Sequence, residues 1–232
     1  MTVWAIVPAA GIGRRMQAKI PKQYLNVHGR PIIETSLGRI GALKYVNRIV
    51  VMLNPEDTIW PTLGLESNPK IVCQPGGENR YQSVLNGLRY LGSFAADLDW
   101  VLVHDAARPC VRIRDIHRLM EAIHDHPVGG LLGSPMDSTL KSVDANGEIT
   151  HTVDRSNLWT AFTPQVFRYR LLLNALEAVD KSSKTVTDES TAMEQLGYRP
   201  KVVEGNRDNI KVTQPQDLNL ATQILSSQAL ES

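Results

Sequence analysis

The sequence predicts the α/β class, with a doubly wound, mostly parallel sheet and helices on both faces. Short apolar or β-branched runs recur at 3–7, 48–53, 70–72, 100–104, 129–133 and 201–203, alternating with helical patterns. Several of these runs are apolar almost throughout, as suits parallel strands covered on both sides.

The first run, 3–7, ends in a loop of small residues. The runs 48–53 and 70–72 follow, and a helix is expected over 79–91. There Val84, Leu85, Leu88 and Leu91 form one apolar stripe, read as core packing against the sheet. After the strands 100–104 and 129–133, the segment 137–155 breaks the alternation. It reads as two short strands, 139–143 and 148–153, joined by Asp144-Ala145-Asn146-Gly147 with its Asn-Gly turn signal. A lone hairpin is marginal in water. It either lies flat as an edge ribbon or reaches out as an arm that buries Leu140, Val143, Ile149 and Val153 against a second copy, and the arm is the preferred reading. Lys181-Ser182-Ser183-Lys184 reads as a loop. Near the end, Thr213-Gln214-Pro215-Gln216 has capping-box spacing and opens a helix through Leu218, Leu220, Ala221 and Leu225.

A chain of 232 residues is expected to form one domain spanning 1–232. The net charge of +1 argues against a nucleic-acid partner, and no apolar run is long enough to cross a membrane. The two cysteines, Cys73 and Cys110, are too few for a disulfide framework, so a soluble protein of the reducing cytoplasm is expected. The chain enters its first strand at once and ends soon after its last helix, so neither a leader nor a fused later enzyme is expected.

The chemistry gathers at predicted strand ends. In Pro8-Ala9-Ala10-Gly11-Ile12-Gly13-Arg14-Arg15-Met16, small residues and glycines let backbone N–H groups approach phosphate oxygens, and two arginines follow. A dinucleotide fingerprint fails at Met16, where a third glycine belongs, and no Gly-Lys-Ser/Thr follows to make a P-loop. A nucleoside triphosphate fits better; a tight turn with surface arginines is the plain alternative. Pro21-Lys22-Gln23-Tyr24 sets Lys22 on a restricted backbone, against the commoner fate of a solvated lysine. The segment 75–83 brings Gly77, Arg80 and Ser83 to the end of a second strand, within reach of a base or ribose. Asp105 and Arg108 follow a third, where a simple ion pair is the alternative. Lys211 adds a cation near the C-terminus. Thr139, Lys141, Arg155 and Thr163 offer hydroxyls and charge to an acceptor phosphate, though each alone reads as surface.

Together with the opening loop, several segments resemble one family in order and register. They are Pro21-Lys22-Gln23-Tyr24, Val103-His104-Asp105-Ala106-Ala107-Arg108-Pro109, His151-Thr152-Val153-Asp154-Arg155, Leu158-Trp159, Thr163-Pro164-Gln165, Thr187-Asp188-Glu189 and Asp208-Asn209-Ile210-Lys211-Val212-Thr213. The family is that of 2-C-methyl-D-erythritol 4-phosphate cytidylyltransferase, of the non-mevalonate isoprenoid pathway. The resemblance implies a Rossmann-like fold, a homodimer joined through the arm, CTP with Mg²⁺, and transfer of the cytidylyl group to methylerythritol phosphate with release of pyrophosphate. It implies Arg15 and Lys22 as the catalytic pair at the α-phosphate. Arg155, Lys211, Asp105, Arg108, Thr139 and Thr163 would position the acceptor, the arm residues reaching in from the partner subunit. Ala9, Ala10, Gly11 and Gly13, with Gly77, Arg80 and Ser83, would hold CTP. Ligands for the metal are not assigned. Asn79 departs from the family, where charged residues are common in the Gly-Gly loop.

Three rival functions fit the same residues: a cytidylyltransferase for another polyol phosphate such as ribitol 5-phosphate, a non-catalytic nucleotide-binding module, and a glycosyltransferase using Asp97 and Asp99. The last pair precedes its strand, so it reads better as a surface turn.

Overall fold

The structure, a computed structural model, describes residues 2–231 except 12, 14, 15, 17, 19 and 182–185. Along the chain, β1 (Val3–Pro8) leads to a small hairpin of β2 (Asn26–Val27) and β3 (Arg30–Pro31), then α1 (Ile32–Gly41), β4 (Val46–Leu53), β5 (Ile71–Pro75), α2 (Arg80–Leu91), β6 (Trp100–Val103) and α3 (Ile113–Ala122). There follow β7 (Gly129–Pro135), β8 (Leu140–Val143), β9 (Ile149–Val153), β10 (Trp159–Arg168), α4 (Tyr169–Asp180), α5 (Glu189–Gln195), β11 (Lys201–Glu204) and α6 (Gln216–Leu230).

Seven strands form one sheet in the order β11-β7-β10-β6-β1-β4-β5. All neighbours run parallel except β10, which is antiparallel to both β6 and β7. Alternate strand residues go to opposite faces. Ala5, Val7, Ile49, Val51 and Leu102 pack with Ile33 and Leu37 of α1 and Leu119 of α3. Ile6, Val50, Met52, Val101 and Val103 pack with Leu85 and Leu88 of α2 and Leu172 and Leu176 of α4. This two-sided covering is why the strands read as continuous apolar runs, and it bears out the doubly wound reading. A third, smaller cluster joins Met16, Val27 and Ile32 to Val212, Ala221 and Leu225, which seats α6 against the β2–β3 hairpin.

The predicted strands hold to within a few residues, but β10 went unread. Its Pro164 argues against a central strand, since proline cannot donate to the ladder. The structure accommodates it with an irregularity: pairing with β7 passes from Ala161↔Gly133 to Gln165↔Leu131, so 162–164 stand out of the ladder. The predicted stripe on α2 is buried, and Asn79 caps that helix by accepting from the Gln82 N–H at 3.1 Å. The contact gives Asn79 a structural role at the start of the helix.

The expected capping box at 213–216 closes on a different residue. Gln216 does not close it; its amide bonds Gln214. The Asp217 carboxylate instead accepts from Thr213 N at 2.8 Å, Thr213 Oγ1 at 3.1 Å and Gln214 N at 2.8 Å. The loop expected at 181–184 lies, beyond Lys181, outside the described residues.

Strands β8 and β9 make a separate ribbon, with Leu140 opposite Val153 and Lys141 opposite Thr152. Its turn is held by Asp144, whose Oδ1 accepts from Asn146 N and Glu148 N, and Gly147 takes the left-handed φ of 84°. Val143 and Ile149 are 53% and 64% exposed, so these two side chains are not spent on this chain's core, while Leu140 and Val153 are half-buried. Arg207 ties the ribbon's base through Asp137.

Candidate active site

The switch in strand order around β1 opens a crevice at the carboxyl ends of β1, β5 and β6, where ligands of such sheets gather. A cleft of about 180 Å³ lies there, lined by Ala9, Ala10 and Gly11 after β1, by Gly77 to Arg80 before α2, by Asp105 after β6, and by Lys22 and Lys211. A second chamber of about 250 Å³ adjoins it, lined by Arg108, Thr163, Gln165, Thr187 and Asp188. Arg80, Asp105 and Lys211 line both chambers and form their common wall.

The loops are fixed by close approach. A Cβ on Gly76 would come 2.5 Å from the Ala10 Cβ, so the loops after β1 and β5 meet only because residue 76 is glycine. Gly13 has a φ of 65°, and a Cβ there would strike the Lys22 side chain at 2.9 Å. Gln23 is buried and donates to the Ala9 carbonyl at 2.7 Å, tying the first loop to the turn that carries Lys22. Lys22 Nζ donates to the Val212 carbonyl at 3.0 Å, one residue beyond Lys211. Ser83 spends its hydroxyl on the loop itself, accepting from Gly77 N and donating to the Asn79 carbonyl, both at 3.0 Å.

Charge in the wall is densely paired. Asp105, 6% exposed, receives Arg80 Nε at 2.9 Å, Lys211 Nζ at 2.9 Å and Arg108 Nε at 3.4 Å. Burial alone pushes its carboxyl up, but Arg80, Lys211 and Arg108 outweigh that and hold it well below the usual carboxylate range. The Arg108 Nη1 also donates to the Asn209 carbonyl at 2.7 Å. Behind Asp105, Thr163 Oγ1 accepts its backbone N–H at 3.0 Å and meets His104 Nδ1 at 3.1 Å.

His104 is fully buried, and its desolvation pushes the imidazole down to about 4. In the unfolded chain an imidazole titrates near 6.5. From about pH 6.5 down to 4, the unfolded state therefore binds a proton that the folded state refuses, and stability falls as pH falls, by up to about 1.4 kcal/mol per unit. Urea midpoints are expected to drop across this window in the native sequence and to flatten in His104→Asn. Parallel curves for the two proteins would exclude His104 as the cause.

The sequence profile of 2-C-methyl-D-erythritol 4-phosphate cytidylyltransferase matches residues 3–227. The chain belongs to this family. A relative of that description from Hahella chejuensis is 47% identical over 219 residues, covering 94% of this chain and 91% of its own. The corresponding crystal structure from Francisella tularensis superposes with a TM-score of 0.81 at 36% identity, over 97% of this chain and 100% of that one. That from Thermus thermophilus gives 0.78 at 28%, over 97% and 98%.

Of the residues that resemblance to the family implied, Ala9, Ala10, Gly11, Lys22, Gly77, Arg80, Ser83, Asp105 and Lys211 line the first cleft. Arg108 and Thr163 line the second. Gly13 supports Lys22 from behind. Arg15 lies outside the described residues. Thr139 and Arg155 sit exposed on and beside the ribbon and line neither chamber. Thr163 is 4% exposed and spends its hydroxyl on His104 and Asp105 just after β6, so its side chain braces Asp105.

The reading of 105 and 108 as a simple ion pair is too small: one carboxylate holds three cations. Glu189, Asp188, Gln165 and His104 stand out only in the structure, because a buried acid or imidazole carries no mark in sequence until its partner is known. Asp97 and Asp99 answer the glycosyltransferase rival. Asp97 accepts from Arg170 at 2.9 Å, and Asp99 from Trp4 Nε1 at 2.9 Å and Ala96 N at 3.0 Å, as suits a surface turn.

Proposed function

We propose that this cleft transfers the cytidylyl group of CTP to 2-C-methyl-D-erythritol 4-phosphate, releasing pyrophosphate and serving isoprenoid precursor synthesis. Two adjoining chambers with a shared cationic wall support the reading: one beneath the small-residue loop for the triphosphate, one beside Arg108 and Thr187 for a phosphorylated acceptor.

A phosphate monoester has a second pKa near 6, so at pH 7 the acceptor is largely a dianion and needs no general base. Among the described residues the wall supplies none: Asp105 is held as an ion by three cations, and His104 is buried with both ring nitrogens engaged. The barrier is charge. At an effective dielectric of 20, unit charges about 4 Å apart repel by about 4 kcal/mol. Lys22 and Lys211, brought together by the 209–213 segment, offset that repulsion and hold attacking and leaving oxygens in line, with Arg15 as the second member of the catalytic pair.

Mg²⁺ enters with CTP and spreads the triphosphate's charge when bound. The described residues hold no group of three side chains suited to a metal, and Asp105 is committed to its cations. A metal held chiefly by phosphate oxygens and water fits that donor set. The ribbon is proposed to reach a second copy, delivering Arg155 and Thr139 to its acceptor chamber; the exposed Val143 and Ile149 support this. Cys73 and Cys110 are free thiols, in keeping with work in the reducing cytoplasm, and among the described residues no helix is long and apolar enough to cross a membrane.

Pyrophosphate release, measured over a panel of nucleoside triphosphates and polyol phosphates, is expected to be fastest with CTP and methylerythritol phosphate. Silence with that pair, or preference for ribitol 5-phosphate, would reject the assignment. Full activity of a strictly monomeric species in dilute sedimentation would reject the ribbon's role alone.

A further inference from the structure

Helix α5 begins at Glu189, and its first turn is bolted to the irregular stretch of β10. Gln165 Nε2 donates to Asp188 Oδ2 at 2.7 Å, and its Oε1 accepts from Ser190 N at 2.8 Å. Asp188 caps the helix by accepting from Thr191 N at 3.0 Å. Between these anchors Glu189 is fully buried, and its carboxylate receives both ends of the Arg80 guanidinium, Nη1 to Oε1 at 2.6 Å and Nη2 to Oε2 at 3.0 Å. Arg80 Nε turns the other way, to Asp105.

Of the five N–H donors on the guanidinium, three are therefore spent on fixed carboxylates. The Arg80 side chain is 26% exposed at the cleft while its main counter-ion is completely hidden behind it. Bidentate pairing of this kind fixes orientation as well as charge. The linked ion cluster then holds three cations, Arg80, Arg108 and Lys211, against two carboxylates, Asp105 and Glu189, for one net positive charge.

We propose that Glu189 is a positioning residue, which aims Arg80 within the wall shared by the two chambers and so leaves the far oxygen of Asp105 to Lys211 and Arg108. Without the Glu189 charge, Arg80 draws on Asp105 for a second bond and competes with both acceptor-side cations. The effect falls on the acceptor side and on turnover, because the first cleft keeps its backbone loops.

The role rests on the cytidylyltransferase reading, and the full-length protein tests the two separately. In Glu189→Gln, kcat is expected to fall about tenfold and the KM for methylerythritol phosphate to rise by a similar factor, as when a supporting partner of a site group is lost. The KM for CTP should rise by a smaller factor, because Arg80 also lines the first cleft while the backbone loops there remain. Met193→Ala, in the core face of the same helix, is the control: a lower melting temperature with unchanged kinetics at 25 °C. Because Glu189 acts through Arg80, the Arg80→Ala/Glu189→Gln double variant should match Arg80→Ala alone. If Glu189→Gln does not fold, Glu189→Asp, which keeps the charge on a shorter stem, should still lower kcat with a native circular dichroism spectrum. Kinetics like those of Met193→Ala, strictly additive losses in the double variant, or native kinetics in Glu189→Asp would overturn the positioning role. An inactive wild-type protein would instead reject the functional reading.

Discussion

Replacing Lys22 by alanine is expected to lower kcat by about 10²–10³-fold while the KM for CTP changes by less than about tenfold. The asymmetry follows from where the amine sits. Lys22 Nζ is held by the Val212 carbonyl, its stem lies under Gly13, and its turn is tied to the first loop through Gln23. A cation held in place before reaction gains most when charge develops on the transferring phosphoryl group, and least when the ground state binds. On the proposed reading, the backbone N–H groups of the small-residue loop and Mg²⁺ continue to hold the triphosphate in the variant. Arg15→Ala shares this expectation as the other half of the pair. Steady-state kinetics with CTP varied at saturating acceptor decides it: equal losses in binding and turnover would show that Lys22 only binds. Melting temperature should move little, because the lysine head leaves no buried charge without its partner.

Replacing Asp105 by alanine should act on both activity and stability, and by more than any surface change. Among the described residues, its carboxylate is the one group that touches Arg80, Lys211 and Arg108 together. Removing a buried partner typically costs about 3–5 kcal/mol, because the charges left behind are uncompensated. Set against a typical total of roughly 5–15 kcal/mol, that is a large share of the fold's stability. Asp105→Asn keeps the shape and should lose less. The pH dependence carries a sign. A carboxyl held below its usual range contributes stability that is fully present above the unfolded value near 3.9, and that is lost as pH falls below it. Urea unfolding of Asp105→Asn should therefore lack part of the acid-side decline of the native protein. An alanine variant within about 1 kcal/mol of native stability would mean that the three cations do not depend on Asp105.

These outcomes turn on contacts that sequence reading reaches unevenly. Lys22, Asp105 and Lys211 were legible because each follows a loop or strand end of recognisable composition, and the parallel-sheet pattern sends such ends to one crevice. Glu189 was quoted only as part of a motif, since a glutamate at a helix start looks like any other. Its significance comes from Arg80, 109 residues away. Likewise the Lys22 bond to Val212 spans 190 residues, so no local spacing announces it. Thr163 was placed in the site, but only the departure of β10 from its ladder turns its hydroxyl onto the Asp105 N–H.

What the sequence determined by itself is what local physics and pattern encode. Continuous apolar runs separated by amphipathic segments require a doubly wound sheet, because only burial on both faces satisfies them. Small residues and glycines after β1 and β5 permit the close loop approach that a phosphate site needs. Motif order was sufficient for the family. The tertiary structure alone decided the insertion of an antiparallel β10 through Pro164, the closing of the last helix cap by Asp217, and the sharing of two carboxylates among three cations. Those choices depend on which distant groups are brought within about 3 Å and deprived of water. Such energies belong to pairs of residues, and a linear sequence names only one member of a pair at a time.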